Sequence, residues 1–75
     1  MNYLEALKYG ILVLKSNNIN TFDIDSELLL SEVLNTTREQ ILINQKKKIK
    51  KKKFKVYKNL LERRKNNEPV AYILR

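Results

Sequence analysis

The 75 residues include no cysteine, no histidine and no tryptophan, and only one glycine and one proline. Without Cys and His there is no disulfide, no thiolate or imidazole zinc ligand, no thiol nucleophile and no base for a Ser-His triad. With Gly10 as the sole glycine, a Gly-rich phosphate cradle of either nucleotide-binding type is excluded. No apolar run approaches the roughly 20 residues that span a bilayer, and Met1-Asn2-Tyr3 lacks the basic start of a secretory signal. These absences predict a cytoplasmic chain with no catalytic residues, cofactor site or metal site of its own.

What is present argues for order. A composition 43% hydrophobic and 32% charged, with so little Gly and Pro, favours one small helical domain over a disordered tail. A domain this small buries only about 60% of its unfolded surface, so a modest stability is expected. Four tyrosines and two phenylalanines at helical spacing read as core and core edge.

Charge is distributed unevenly. Residues 45 to 65 carry twelve Lys and Arg against Glu62 alone, whereas the rest of the chain has four basic and seven acidic residues. Such asymmetry points to a polyanionic partner, and Lys47, Lys48, Lys51, Lys52 and Lys55 are the candidate contacts. A second reading stays open. Lys, Asn and Ile together supply 28 residues, and their AT-rich codons accumulate on any tolerant surface, which would make the run a solvated loop and a frayed helix end. No aromatic stacking platform is interleaved with it.

Periodicity predicts five helices. Asn2 and Glu5 are spaced as a capping box, opening a helix over about Tyr3 to Lys15 whose inner face carries Tyr3, Ala6, Leu7, Gly10, Ile11, Val13 and Leu14. Gly10 in mid-face costs about 1 kcal/mol of helix propensity, and the close approach of a neighbour is the expected compensation. Asn17-Asn18 ends that helix. Asn20 or Thr21 caps a second one to Leu34, apolar around most of its circumference and therefore central. Asn35 terminates it, and Thr36 with Glu39 is a candidate capping box for a short third helix near Thr37 to Ile43. A fourth is expected from about Lys50 to Asn66, with Phe54, Tyr57, Leu60 and Leu61 inward and no good N-terminal cap. Asn66-Asn67 stops it, and Pro69 fits the first turn of a last short helix to Leu74.

Arg64 falls in the middle of the apolar face of the fourth helix, where a guanidinium requires an acid. Asp25 and Glu32, seven apart on one polar strip of the second helix, are the candidates. The nearby carboxylates Asp23, Asp25 and Glu27 are better explained by capping and ion pairing than by a divalent metal.

Three stretches in order, Asp25-Ser26-Glu27-Leu28-Leu29-Leu30, Leu34-Asn35-Thr36-Thr37-Arg38, and Leu61 through Leu74 with its Glu68-Pro69-Val70-Ala71-Tyr72-Ile73, resemble the N-terminal domain of the release-factor glutamine methyltransferases, the HemK/PrmC family. The resemblance covers essentially the whole chain. It departs from the family pattern where Asn35 and Asn67 replace helix-ending glycines and where lysines replace a Thr/Ser and acidic start to the fourth helix. What it implies is an all-α bundle of about five helices, occupying residues 1–75, that docks a peptide-chain release factor. A methyltransferase domain in cis, outside these residues, would use S-adenosylmethionine to methylate the Gly-Gly-Gln glutamine, and Glu68, Pro69 and Tyr72 form the motif implied at the junction. No activity of this segment alone, no membrane association and a monomeric state are expected. The alternatives are a basic module binding RNA or the ribosome, with nucleic acid as its weak partner, and a structural or assembly domain.

Overall fold

A computed structural model describes residues 1–75 as five helices: α1 (Tyr3–Ser16), α2 (Phe22–Leu34), α3 (Arg38–Ile43), α4 (Lys51–Lys65) and α5 (Val70–Ile73). Helices α1, α2 and α4 pack on one another and form the body, α3 lies against α2 and α1, and α5 folds back on α4. The result is an all-α bundle of 29 × 24 × 22 Å. The core gathers Ala6, Leu7 and Leu14 from α1, Leu29, Leu30 and Val33 from α2, Ile41 from α3, Tyr57 and Leu61 from α4, and Ile73 from α5. One apolar stripe per helix suffices to build it.

The helix ends follow from side-chain chemistry. Asn2 Oδ1 accepts from the Glu5 N–H at 2.8 Å while Glu5 Oε1 accepts from the Asn2 N–H at 2.8 Å, a complete capping box. Helix α3 is capped one residue later than the spacing suggested. Thr37 accepts from the Gln40 N–H, so the pair is Thr37 and Gln40 rather than Thr36 and Glu39. The shift has a cause: the Thr36 N–H is already used, donating to the Ser31 carbonyl to close α2. Thr21 occupies the N-cap position of α2 without capping its backbone; its hydroxyl donates to Asp25 Oδ2 at 2.6 Å instead. Pro69 sits at the N-cap of α5 rather than inside its first turn.

Three helices end on an asparagine in the left-handed region, Asn18 at φ 62°, Asn35 at 52° and Asn67 at 68°. In each case the following N–H reaches back five residues, Ile19 to Leu14, Thr36 to Ser31 and Glu68 to Arg63, and the asparagine N–H bonds the inner carbonyl, which is the Schellman pattern. Leu14 and Ile19 supply the usual apolar contact across the first of these turns, both being buried. Across the third, Arg63 and Glu68 supply an ion pair instead. Replacing any of these asparagines by Ala is expected to cost about 1 kcal/mol, because a Cβ without a short polar group disfavours positive φ, whereas Gly should be neutral or slightly stabilising. Urea midpoints of the six variants check this.

The segment between α3 and α4 is not a free loop. The Tyr3 N–H donates to the Lys47 carbonyl at 2.8 Å, Leu4 to Gln45 at 3.0 Å, and Ile49 donates to the Met1 carbonyl at 3.0 Å, with Asn2 and Lys48 paired as a single antiparallel bridge. Ile49 is buried in the core. The lysine run is thus fastened to the start of α1 by backbone bonds and by one apolar anchor. The lysine side chains remain solvated on this pinned backbone, and α4 itself begins at Lys51 with no side-chain cap.

Candidate functional site

The fastening gives the basic residues a defined place. Lys46, Lys47, Lys48, Lys50, Lys51, Lys52, Lys53, Lys55 and Lys58 are all exposed. The ion pairs of the chain are Arg38 with Glu27, Arg63 with Glu68, Arg64 with Asp25 and Lys65 with Glu62, so no lysine of the run has an acidic partner. Of the five candidate contacts, Lys47 and Lys48 lie on the pinned segment and Lys51, Lys52 and Lys55 on the first turns of α4.

Beside them lies a feature that periodicity did not reveal. An open cleft of about 400 Å³ runs between the start of the chain and α4, lined by Met1, Ile49, Lys51, Phe54, Lys55 and Lys58. Phe54 is only half-buried and meets the ring of Tyr9 edge-on, with centroids 5.2 Å apart. The Lys58 ammonium stands over the same ring, 5.4 Å from the centroid. Phe54 reads as core on a helical wheel, and the interruption of the lysine run by Ile49 is the one local signal that something apolar sits there.

Arg64 Nε donates to Asp25 Oδ2 at 2.8 Å, and Arg64 Nη1 lies 3.4 Å from the Glu68 carbonyl oxygen. Both side chains are largely enclosed, with 19% and 9% of their surfaces left exposed. Glu32 is not brought to this pair; it is exposed at the far end of α2. The two acids share a strip of α2, but only Asp25 lies where α4 crosses it. The turn that follows holds Glu68, whose carboxylate takes the Arg63 guanidinium with both oxygens. That hydrogen bond holds the Glu68 carboxyl below the usual carboxylate range and raises Arg63 correspondingly. Pro69 is exposed, and Tyr72 is 53% exposed with the Arg75 guanidinium 4.4 Å from its ring centroid. Ile73, the next residue, is buried and anchors α5, so Tyr72 is presented outward on a fixed helix.

The remaining acids are engaged locally. Asp23 accepts from the Ile24 N–H at 2.9 Å and Glu27 takes the Arg38 guanidinium at 2.8 Å. No group of three potential ligands converges on a point where a metal ion would sit. The backbone at Gly10 is covered by α4 and α2. A Cβ built there would stand 1.9 Å from the Tyr57 hydroxyl and 3.3 Å from Ser26 Cβ. What the surface offers for recognition is unpaired cations and exposed apolar side chains.

Residues 5–74 match the family described as the PrmC N-terminal domain. The chain is 42% identical over 70 residues to the release factor glutamine methyltransferase of Clostridium botulinum, covering 93% of this chain and 25% of the relative. It is 42% identical over 50 residues to the protein of the same name from Buchnera aphidicola, covering 67% and 18%. A bifunctional methyltransferase of Rickettsia bellii is 32% identical over 68 residues, covering 91% and 12%. The chain thus spans a quarter or less of the length of these curated relatives. No solved structure matches it.

Proposed function

Because the chain belongs to the family of PrmC N-terminal domains, we propose that it is the substrate-docking domain of a protein that methylates the glutamine of peptide-chain release factors. The observation that carries the reading is the pairing of a whole-domain family match with a surface of unpaired lysines and outward-facing apolar groups. A methyltransferase acting on a protein must hold one side-chain amide in register with S-adenosylmethionine, which supplies the methyl group. Binding energy from contacts far from that amide can be spent on the positioning. A rigid helical domain beside the catalytic one provides such contacts. Its share of the work is to bind and orient the release factor, with Glu68, Pro69 and Tyr72 assigned to the junction with the neighbouring domain.

The test is a comparison of two substrates. Deleting residues 1–75 from the full-length enzyme should lower kcat/KM for an intact release factor far more than for a short peptide containing Gly-Gly-Gln. The isolated chain should bind a release factor weakly and transfer no methyl group. Equal losses on both substrates would make the domain a folding support for the catalytic one instead.

A further inference from the structure

The cleft between Met1 and α4 combines two features. Its floor is apolar, made by Met1, Ile49 and Phe54, and its rim on α4 is wholly cationic. Lys51, Lys55 and Lys58 follow one another at four and three residues, so they form one row on the helix, about 10 Å long at 1.5 Å per residue. Drift toward lysine explains the number of cations. It does not explain an apolar floor beside them, nor the backbone bond by which the Ile49 N–H holds the Met1 carbonyl.

We infer that this cleft is a docking point for an acidic protein segment that inserts one aliphatic or aromatic side chain between flanking carboxylates. The charge complementarity is one-sided, since none of the three rim lysines has an acidic partner in the chain. An apolar side chain lowered onto Ile49 and Phe54 would carry neighbouring Asp and Glu to the lysine row. Nucleic acid suits the site less well. A base needs an open aromatic face, and the Phe54 ring already meets Tyr9 edge-on and lies under the Lys58 ammonium. The inference deepens the docking reading if the segment belongs to the release factor, but its geometry stands apart from that assignment.

Three probes test it on the 75-residue chain by amide chemical-shift titration: a ten-residue Glu/Asp peptide with one central Leu, the same peptide with Ser for Leu, and a ten-nucleotide oligouridylate. The Leu peptide should bind with shifts centred on Met1, Ile49 and Phe54. Its affinity should fall about tenfold with Ser for Leu, as expected for one apolar side chain lost from a pocket, and at least tenfold in the K51E/K55E/K58E variant. Charge reversal at Lys8 and Lys15, on α1, should change it little and controls for net charge. Equal binding of the two peptides, shifts spread along the whole lysine run, or tighter binding of the RNA would each overturn the inference. A release factor added last separates the two readings. If it binds but is neither displaced by the Leu peptide nor weakened by K51E/K55E/K58E, the cleft is not its dock and the docking function survives. If it does not bind while the Leu peptide does, the docking function fails and the cleft remains.

Discussion

Gly10→Ala is expected to destabilise the domain by about 2 kcal/mol, against the gain of nearly 1 kcal/mol that Ala normally brings to a helix interior. The sign reverses because Tyr57 stands directly over Gly10. A Cβ at position 10 would lie 1.9 Å from the Tyr57 hydroxyl and 2.8 Å from Cζ. The ring has no exposed surface into which to retreat, and its hydroxyl is held by donating to the Ser26 carbonyl at 3.0 Å. Overpacking a closed core of this kind costs typically 1–3 kcal/mol. Tyr57→Phe alone should cost about 1 kcal/mol through the lost hydrogen bond, and Gly10→Ala should cost less in that background because the nearest clash is gone. Urea unfolding of the four proteins in the cycle reads this directly. A Gly10→Ala protein more stable than the parent would mean that Tyr57 does not occupy this position.

The same tyrosine sets an alkaline limit. Burial, helped by the negative charge of Glu27, pushes the Tyr57 phenol well above its ordinary value near 10. The folded state therefore keeps the neutral form after the unfolded chain has begun to ionise. Stability from this group is complete below about pH 10 and declines as pH rises beyond it. The informative quantity is the difference from Tyr57→Phe, whose stability should lack this alkaline decline.

Local chemistry and long-range placement were not equally legible. The capping box of Asn2 and Glu5, the inner face of α1 and the three asparagine terminators depend on residues within one or two turns, and sequence spacing describes such interactions well. The cap of α3 was misplaced by one residue because Thr36 and Thr37 both satisfy the spacing rule. Only the demand of the preceding turn on the Thr36 N–H separates them. Positions decided by distant partners were less accessible. Burial of Ile49, amid lysines, depends on the antiparallel contact of residues 45–49 with residues 1–4, and no helical period encodes that contact. The candidate site divides in the same way. Its lysines are visible as a run, whereas the cleft beneath three of them exists only once Met1 and Ile49 meet across that bridge.

Removing Arg64 has the largest expected effect: Arg64→Ala should cost on the order of 3 kcal/mol. The loss of attraction is the smaller part. Asp25, 9% exposed in the intact protein, would keep the Thr21 hydroxyl as its remaining side-chain hydrogen-bond donor, and an enclosed carboxylate without its counter-ion is strongly disfavoured. At roughly 0.05–0.15 kcal/mol per residue, a chain of 75 residues has only a few such losses available before it unfolds. Asp25→Ala should be similarly damaging by stranding the guanidinium, while the double variant should lose clearly less than the sum of the two, since neither charge is then left alone. Arg63 gives the contrast within one turn of helix. Its ion pair with Glu68 lies at the surface, 45% and 34% exposed, and Arg63→Ala should barely move the unfolding midpoint. The inner pair also reaches beyond stability. Arg64 joins α2 to α4 through Asp25 and lies beside the Glu68 carbonyl, so its removal frees the turn that sets the direction of Pro69 and Tyr72. Faster hydrogen exchange at Glu68 and Tyr72 in Arg64→Ala, measured where the variant is still folded, would reveal that loosening. A midpoint equal to that of the parent would show that the buried pair is not what ties α2 to α4.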